Sequence, residues 1–163
     1  MSKTFFKRHP VYLFTAFLLI LYCSSEKTEL LPQELSGLKL SRTMNGQEAK
    51  NFVNRLHFQE VAASKNEIGF YEEDKKSAII YISHYETAEQ AETEERKMTD
   101  KISPQNSVFV GGKYLDVNGK QVYRCFGMGQ IHFVFSHKRQ LFWISVDTLM
   151  GKEFLSAYLG YLS

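Results

Sequence analysis

The sequence predicts a single α+β domain: a mostly antiparallel sheet with about three helices packed on one face. Short segments in which apolar and polar residues alternate are typical of strands with one buried side. Polar hairpin turns, above all the Asn118-Gly119 pair, separate neighbouring segments of this kind. Segments with apolar residues three and four positions apart predict helices. Sets of strands followed by single helices are typical of an antiparallel α+β fold.

The first half of the domain predicts the element order β-α-β-β-α. The predicted strands cover residues 37–43, 68–71 and 78–83. Asn45 can cap a helix from about Gly46 to Leu56, because apolar residues recur there at helical spacing. Thr87 and Gln90 form a capping-box pattern, which predicts the start of a second helix that ends near Ile102.

The second half predicts four strands and a final helix. The predicted strands cover residues 113–117, 121–126, 131–135 and 141–146, and the helix covers about 152–161. Period-two alternation places five apolar residues on one buried face beneath the last helix: Phe133, Phe135, Phe142, Ile144 and Val146. The same alternation places Trp143 and Leu141 on the opposite face. If no helix covers that face, Trp143 forms an exposed aromatic patch suited to ligand or protein binding.

The N-terminus has the features of an export signal. Lys3, Lys7 and Arg8 precede an uncharged apolar run at 11–22. Twelve residues are too few for a comfortable transmembrane helix, which needs about 20 apolar residues. A signal-peptide core of roughly 7–15 residues fits the run better.

The end of this run, Ile20-Leu21-Tyr22-Cys23, resembles the signal of bacterial lipoproteins, in which an apolar residue and two small residues precede an acylated cysteine. Ile20 matches the apolar position, whereas Tyr22 departs from the Gly, Ala or Ser usual before the cysteine. The resemblance implies that Cys23 is the lipidation site. The expected organisation is a signal peptide at 1–22, a lipid-anchored cysteine and tether at 23–36, and one domain at 37–163. A signal cut elsewhere and an uncleaved anchor are the alternatives.

Net charge and cysteine content limit the kinds of partner and of chemistry that the domain can have. The chain has a net charge of +2, but removal of residues 1–22 leaves 17 basic and 18 acidic residues. A nearly neutral domain has no general electrostatic affinity for nucleic acid, so we expect no nucleic-acid partner. Cys125 is the only cysteine of the predicted domain. It lies in an apolar strand and is expected to be an inert, buried thiol.

The histidines and serines do not form a recognisable catalytic or metal-binding motif. His57, His84, His132 and His137 lack the close spacing of zinc ligands, and no nucleophile-elbow motif is present. Ser145 and Asp147 come near His132 only if the last two strands pair. We therefore expect no catalytic residue, no metal and no cofactor.

The sequence thus favours a non-catalytic lipoprotein of the bacterial cell envelope, a binding or structural module whose partners are the membrane, through its lipid anchor, and an unidentified protein or small molecule. An envelope enzyme with a site assembled by the fold, and a secreted binding protein without lipid, are the alternatives.

Overall fold

The structure is a computed structural model that describes residues 29–57, 63, 65–102 and 108–163. The first half of the described chain contains β1 (Glu34–Leu35), β2 (Leu38–Asn45), α1 (Gly46–His57), β3 (Lys65–Glu73), β4 (Lys76–His84) and α2 (Ala88–Ile102). The second half contains β5 (Val110–Val117), β6 (Lys120–Gly127), β7 (Gln130–His137), β8 (Gln140–Asp147) and α3 (Gly151–Leu162). The α+β class is confirmed. β1 is an addition to the predicted elements.

All eight strands join one antiparallel sheet in the order β1-β2-β3-β4-β8-β7-β6-β5. Two four-stranded meanders, β1 to β4 and β5 to β8, therefore meet at the β4–β8 pair. Ile80 lies directly opposite Ile144 at this junction, and both side chains are fully buried. The chain between the meanders includes α2, which packs against β7 and β8 on its way to the far edge at β5.

Local signals fix several boundaries as predicted. Asn118 and Gly119 both have positive φ, and Val117 pairs with Lys120 across them, as expected for a two-residue hairpin turn. At the start of α2, the Gln90 amide donates to Thr87 Oγ1 at 3.2 Å, and the Thr87 amide donates to Gln90 Oε1 at 3.3 Å. The capping box is therefore confirmed.

The buried face beneath α3 is confirmed as well. The five residues predicted to share it are all buried in one cluster: Phe133, Phe135, Phe142, Ile144 and Val146. The apolar side of α3 belongs to the same cluster through Phe154, Leu155, Tyr158 and Leu159.

The prediction that all three helices share one face is wrong. α2 packs through Met98 and Ile102 on the opposite face, against Val134 and Leu141, and α1 packs on that face near Tyr81. Tyr81 and Trp143 are register partners, which places both on the side away from α3. The reason is that the central strands are apolar on both sides and need cover on both.

The exposed aromatic patch around Trp143 is accordingly a wrong prediction. Leu141 is buried, and Trp143 is half-buried against Phe109 and His132, with ring centroids 5.4 and 5.5 Å away. Trp143 is part of a second core layer.

Candidate functional site

The predicted lipidation site, Cys23, lies outside the described residues. The described chain begins at Glu29, and Leu31 and Leu35 are buried in the main core. The folded domain therefore includes residues 29–36, which the sequence assigned to the tether. β1, which was not among the predicted elements, pairs with β2 around a turn at Ser36 and Gly37 and so holds this segment to the sheet.

Three tyrosine hydroxyls fix this first segment to the core. Tyr71 on β3 donates to the Pro32 carbonyl at 3.0 Å, and on α3 Tyr158 and Tyr161 donate to the carbonyls of Leu30 and Glu29, at 2.9 and 3.1 Å. Burial raises the pKa of Tyr71 and of Tyr158 well above the usual value. Both hydroxyls therefore stay protonated and act as donors. We call this set the tyrosine clamp.

Gly69 allows the clamped segment to lie close to the sheet. A Cβ at Gly69 would come within 2.8 Å of a Leu31 methyl group and 3.2 Å of a Leu40 methyl group. A side chain at this position would force the Leu31 side chain to shift, so glycine favours the close contact between the segment and β3.

An open groove of about 400 Å³ runs between the clamped segment and the end of β2. Its apolar lining consists of Leu30, Leu31, Leu40 and Met44, and its polar lining of Glu29, Gln33, Thr43, Asn45 and Glu67. Volumes of this order are typical of small-molecule sites, where a few polar groups orient a ligand on an apolar surface. The sequence did not reveal this groove, because its lining residues lie in separate segments between residues 29 and 67.

Charge at the groove is centred on Glu67. Its Oε1 atom lies 2.9 Å from His84 Nε2 and 3.4 Å from Lys65 Nζ. The contact with His84 is the main cause that lowers the pKa of Glu67, against the opposing effect of burial. Glu67 is therefore ionised at neutral pH, and its carboxylate lies at the groove beside Lys65.

The second polar cluster lies under α2, where the last two strands pair and bring His132 opposite Ser145. His132 Nε2 lies 3.0 Å from the Gly127 carbonyl, so this nitrogen carries the proton and donates. His132 Nδ1 then accepts from Ser145 Oγ at 2.9 Å, and Trp143 Nε1 donates to both Nδ1 and Oγ. Burial lowers the pKa of His132 and keeps the ring neutral.

This arrangement brings a serine and a histidine within hydrogen-bonding distance, but it has the character of a core network. His132 and Ser145 are 3% and 5% exposed, and Phe109 packs edge-on against the histidine ring. Asp147, the third residue considered from the sequence, instead accepts the Ser77 amide at 2.8 Å and so joins β8 to the start of β4.

The other candidate residues from the sequence do not lie together at one site. Cys125 is a buried free cysteine on the Trp143 face, and burial raises the pKa of its thiol to about 11. Within residues 29–57, 63, 65–102 and 108–163, no three His, Cys, Asp or Glu side chains are arranged to hold a metal ion. His57 ends α1, and its side chain lies outside the described part.

Comparison of the chain with protein-family models, with curated proteins and with solved structures finds no match.

Among the helices of the described chain, none combines the length and the apolar character needed to cross a bilayer.

Proposed function

We propose that this protein is a non-catalytic lipoprotein of the bacterial cell envelope. In this proposal residues 1–22 are removed, Cys23 carries the acyl chains, and the folded domain is a binding module held close to the membrane.

The tyrosine clamp is the observation that carries the proposal. An acyl anchor positions a domain only if the chain that leaves the anchor soon becomes fixed to the fold. Six residue steps separate Cys23 from the clamped Glu29, which allows at most about 22 Å of extended chain. The clamped segment also forms one wall of the groove, so the anchor would hold the groove near the bilayer.

The groove suggests the class of ligand. Its aliphatic floor and its amide, hydroxyl and carboxylate groups suit a small neutral or cationic molecule with a short apolar part.

The surroundings of Ser145 favour binding over hydrolysis. A serine nucleophile must reach its substrate while a histidine accepts its proton. Here the hydroxyl is buried and also accepts the Trp143 N–H. The pair therefore suits a structural role that joins β7 to β8.

Metabolic labelling with an alkyne analogue of palmitate, in a bacterial host, tests the anchor. The wild-type chain and Cys125→Ala should both be labelled and found in the membrane fraction, whereas Cys23→Ala should be unlabelled. Cys125 is a matched control, because it is the only other cysteine. The mass of the mature N-terminus should correspond to an acylated Cys23.

Two results would contradict the proposal. Retention of residues 1–22 in the mature protein would indicate an uncleaved anchor. Release of an unlabelled wild-type chain into the medium would favour the secreted alternative.

A further inference from the structure

The flank of the sheet formed by β5 and β6 is only partly covered. β5 is the edge strand, and six of its eight residues are exposed. On the α3 side of this flank, Leu115 and Phe126 are half-buried, and Phe126 packs against the main core. An apolar surface therefore continues from the core to the edge of the molecule.

Two cations face each other on this surface. Lys113 and Arg124 are register partners on β5 and β6. The Arg124 guanidinium lies 4.7 Å from the centre of the Phe126 ring, which places the pair on the α3 side. Like charges directly opposite each other destabilise a sheet, so folding alone does not account for this pairing.

The charge of this pair is not neutralised within the described chain. Neither cation lies within 4.0 Å of a described carboxylate. Arg124 Nη2 makes one long hydrogen bond, 3.4 Å to the Gly111 carbonyl, while its Nε is buried and has no hydrogen-bond partner among the described residues. Arg124 is half-buried, and its positive charge is available to an anion at the surface of this flank.

Exposed aliphatic side chains form the tip of the same flank. Val108, Val110 and Met128 are 72%, 65% and 78% exposed. Val110 lies opposite Phe126, and the Val108 carbonyl is 3.1 Å from the position of a Cβ on Gly127, so the three residues lie on neighbouring segments. Met128 has φ of +54°, a conformation usual for Gly, Asn or Asp in such turns. An exposed methionine in this position favours an interaction role.

We propose that Lys113, Arg124 and this aliphatic tip form a second membrane contact, which binds an anionic phospholipid surface. The cations would face lipid phosphates, and Val108, Val110 and Met128 would enter the interfacial region. The aliphatic tip favours a bilayer over an acidic protein, which would need hydrogen-bond partners there. This inference rests on the proposed function, and it adds a contact that orients the anchored domain.

The position of the clamp agrees with such an orientation. The carbonyls of residues 29 and 30 accept hydrogen bonds from α3, so this segment lies on the α3 side of the sheet. Lys113 and Arg124 lie on that same side. A bilayer facing α3 could therefore hold the acyl anchor near β1 and the phosphate contact near β5.

Hydrogen exchange of the full chain purified from membranes, followed by mass spectrometry, tests this contact. The protein is reconstituted into phosphatidylcholine vesicles with or without phosphatidylglycerol. Amides of residues 108–113 and 124–129 should exchange more slowly only when phosphatidylglycerol is present. The double variant Lys113→Gln/Arg124→Gln should lose most of this protection. Raising the salt to about 1 M should also remove it, because the Debye length falls to about 3 Å.

A matched variant and two soluble anions complete the design. Lys50→Gln/Lys101→Gln removes the same charge from α1 and α2 on the other face and should keep the protection. If polyglutamate or inorganic phosphate alone reproduces the protection, the site recognises an anion rather than a bilayer, and the inference is wrong. Anchored wild-type protein without lipid-dependent protection also overturns it.

The same hydrogen-exchange measurement on the Cys23→Ala chain, mixed with the two kinds of vesicle, separates this result from the acylation proposal. Protection by phosphatidylglycerol in the Cys23→Ala chain would support the contact even if Cys23 proved not to be acylated.

Discussion

At the scale of single residues, His132 is a buried polar group whose two ring nitrogens both make hydrogen bonds. Its neutral ring donates through Nε2 and accepts at Nδ1, so both nitrogens are used in a layer covered by α2 and Phe109. A proton added at Nδ1 would point at the Trp143 N–H, and one hydrogen bond would be replaced by a donor–donor contact. Burial opposes the added charge as well.

Stability should therefore fall on mild acidification. The folded-state pKa of His132 lies below the unfolded value of about 6.5, so the unfolded chain binds more protons below that pH. His137 contributes in the same direction, through burial and the nearby Lys120 and Lys138. The free energy of unfolding, measured in urea, should be lower at about pH 5.5 than at about pH 7.5. His132→Gln and His137→Gln should each reduce this difference, and an unchanged difference in both would exclude the histidines as its source.

The core beneath α3 and the layer around Trp143 should respond differently when an aromatic side chain is truncated to alanine. Phe135 is fully buried and stacks on Phe142 with ring centroids 5.0 Å apart. Phe135→Ala should cost about 3–5 kcal/mol and nearly unfold the domain. Trp143→Ala should leave a folded but weakened domain, because Trp143 is half-buried. The urea midpoints of the two variants check this. A larger loss of stability for Trp143→Ala than for Phe135→Ala would contradict the prediction.

At the scale of elements, local chemistry explains what could be predicted. The Thr87–Gln90 capping box, the Asn118-Gly119 turn and the alternation along β7 and β8 depend on neighbouring residues, and all three are confirmed. The placement of α1 and α2 opposite α3 depends on the strand order, in which β8 inserts beside β4. No local pattern encodes that order.

The groove depends on contacts between distant segments, whereas the Lys113–Arg124 pair follows from a local hairpin turn. The groove depends on where residues 29–33 are fixed, and three hydroxyls that are remote in sequence determine this position. The cation pair keeps the register that the Asn118-Gly119 turn sets, in which Val117 pairs with Lys120 and Lys113 with Arg124. The irregularity lies beyond this pair, between Val110 and Lys113, and changes only which residue lies opposite Phe126.

The clamp itself should contribute to stability mainly through Tyr158. Its side chain is fully buried, so Tyr158→Phe leaves the Leu30 carbonyl without its donor and should cost about 1–3 kcal/mol. Tyr161→Phe is the matched control at a more exposed position and should cost less than about 1 kcal/mol. Hydrogen exchange should accelerate over residues 29–35 in Tyr158→Phe only. Equal effects of the two variants would show that the buried hydroxyl has no special role.

At the scale of the whole molecule, the two meanders share one core. The cluster beneath α3 includes Ile80 and Ile82 from the first meander and Phe142 and Ile144 from the second, together with Leu35 from β1. Neither meander can lose its packing without exposing apolar surface of the other. The second layer, around Trp143, lies on the reverse side of the same central strands and depends on their pairing.

The domain should therefore unfold in a single cooperative transition. Trp143 is the only tryptophan, so its fluorescence reports the layer beneath α2, whereas far-ultraviolet circular dichroism reports the helices and sheet together. In a two-state transition the two signals have the same urea midpoint. Ile80→Ala tests the coupling, because this side chain lies at the β4–β8 junction on the opposite face from Trp143. The cavity should cost about 2–5 kcal/mol and shift both midpoints by the same amount. A fluorescence midpoint that stays in place while the dichroism midpoint falls would show that the two layers unfold independently.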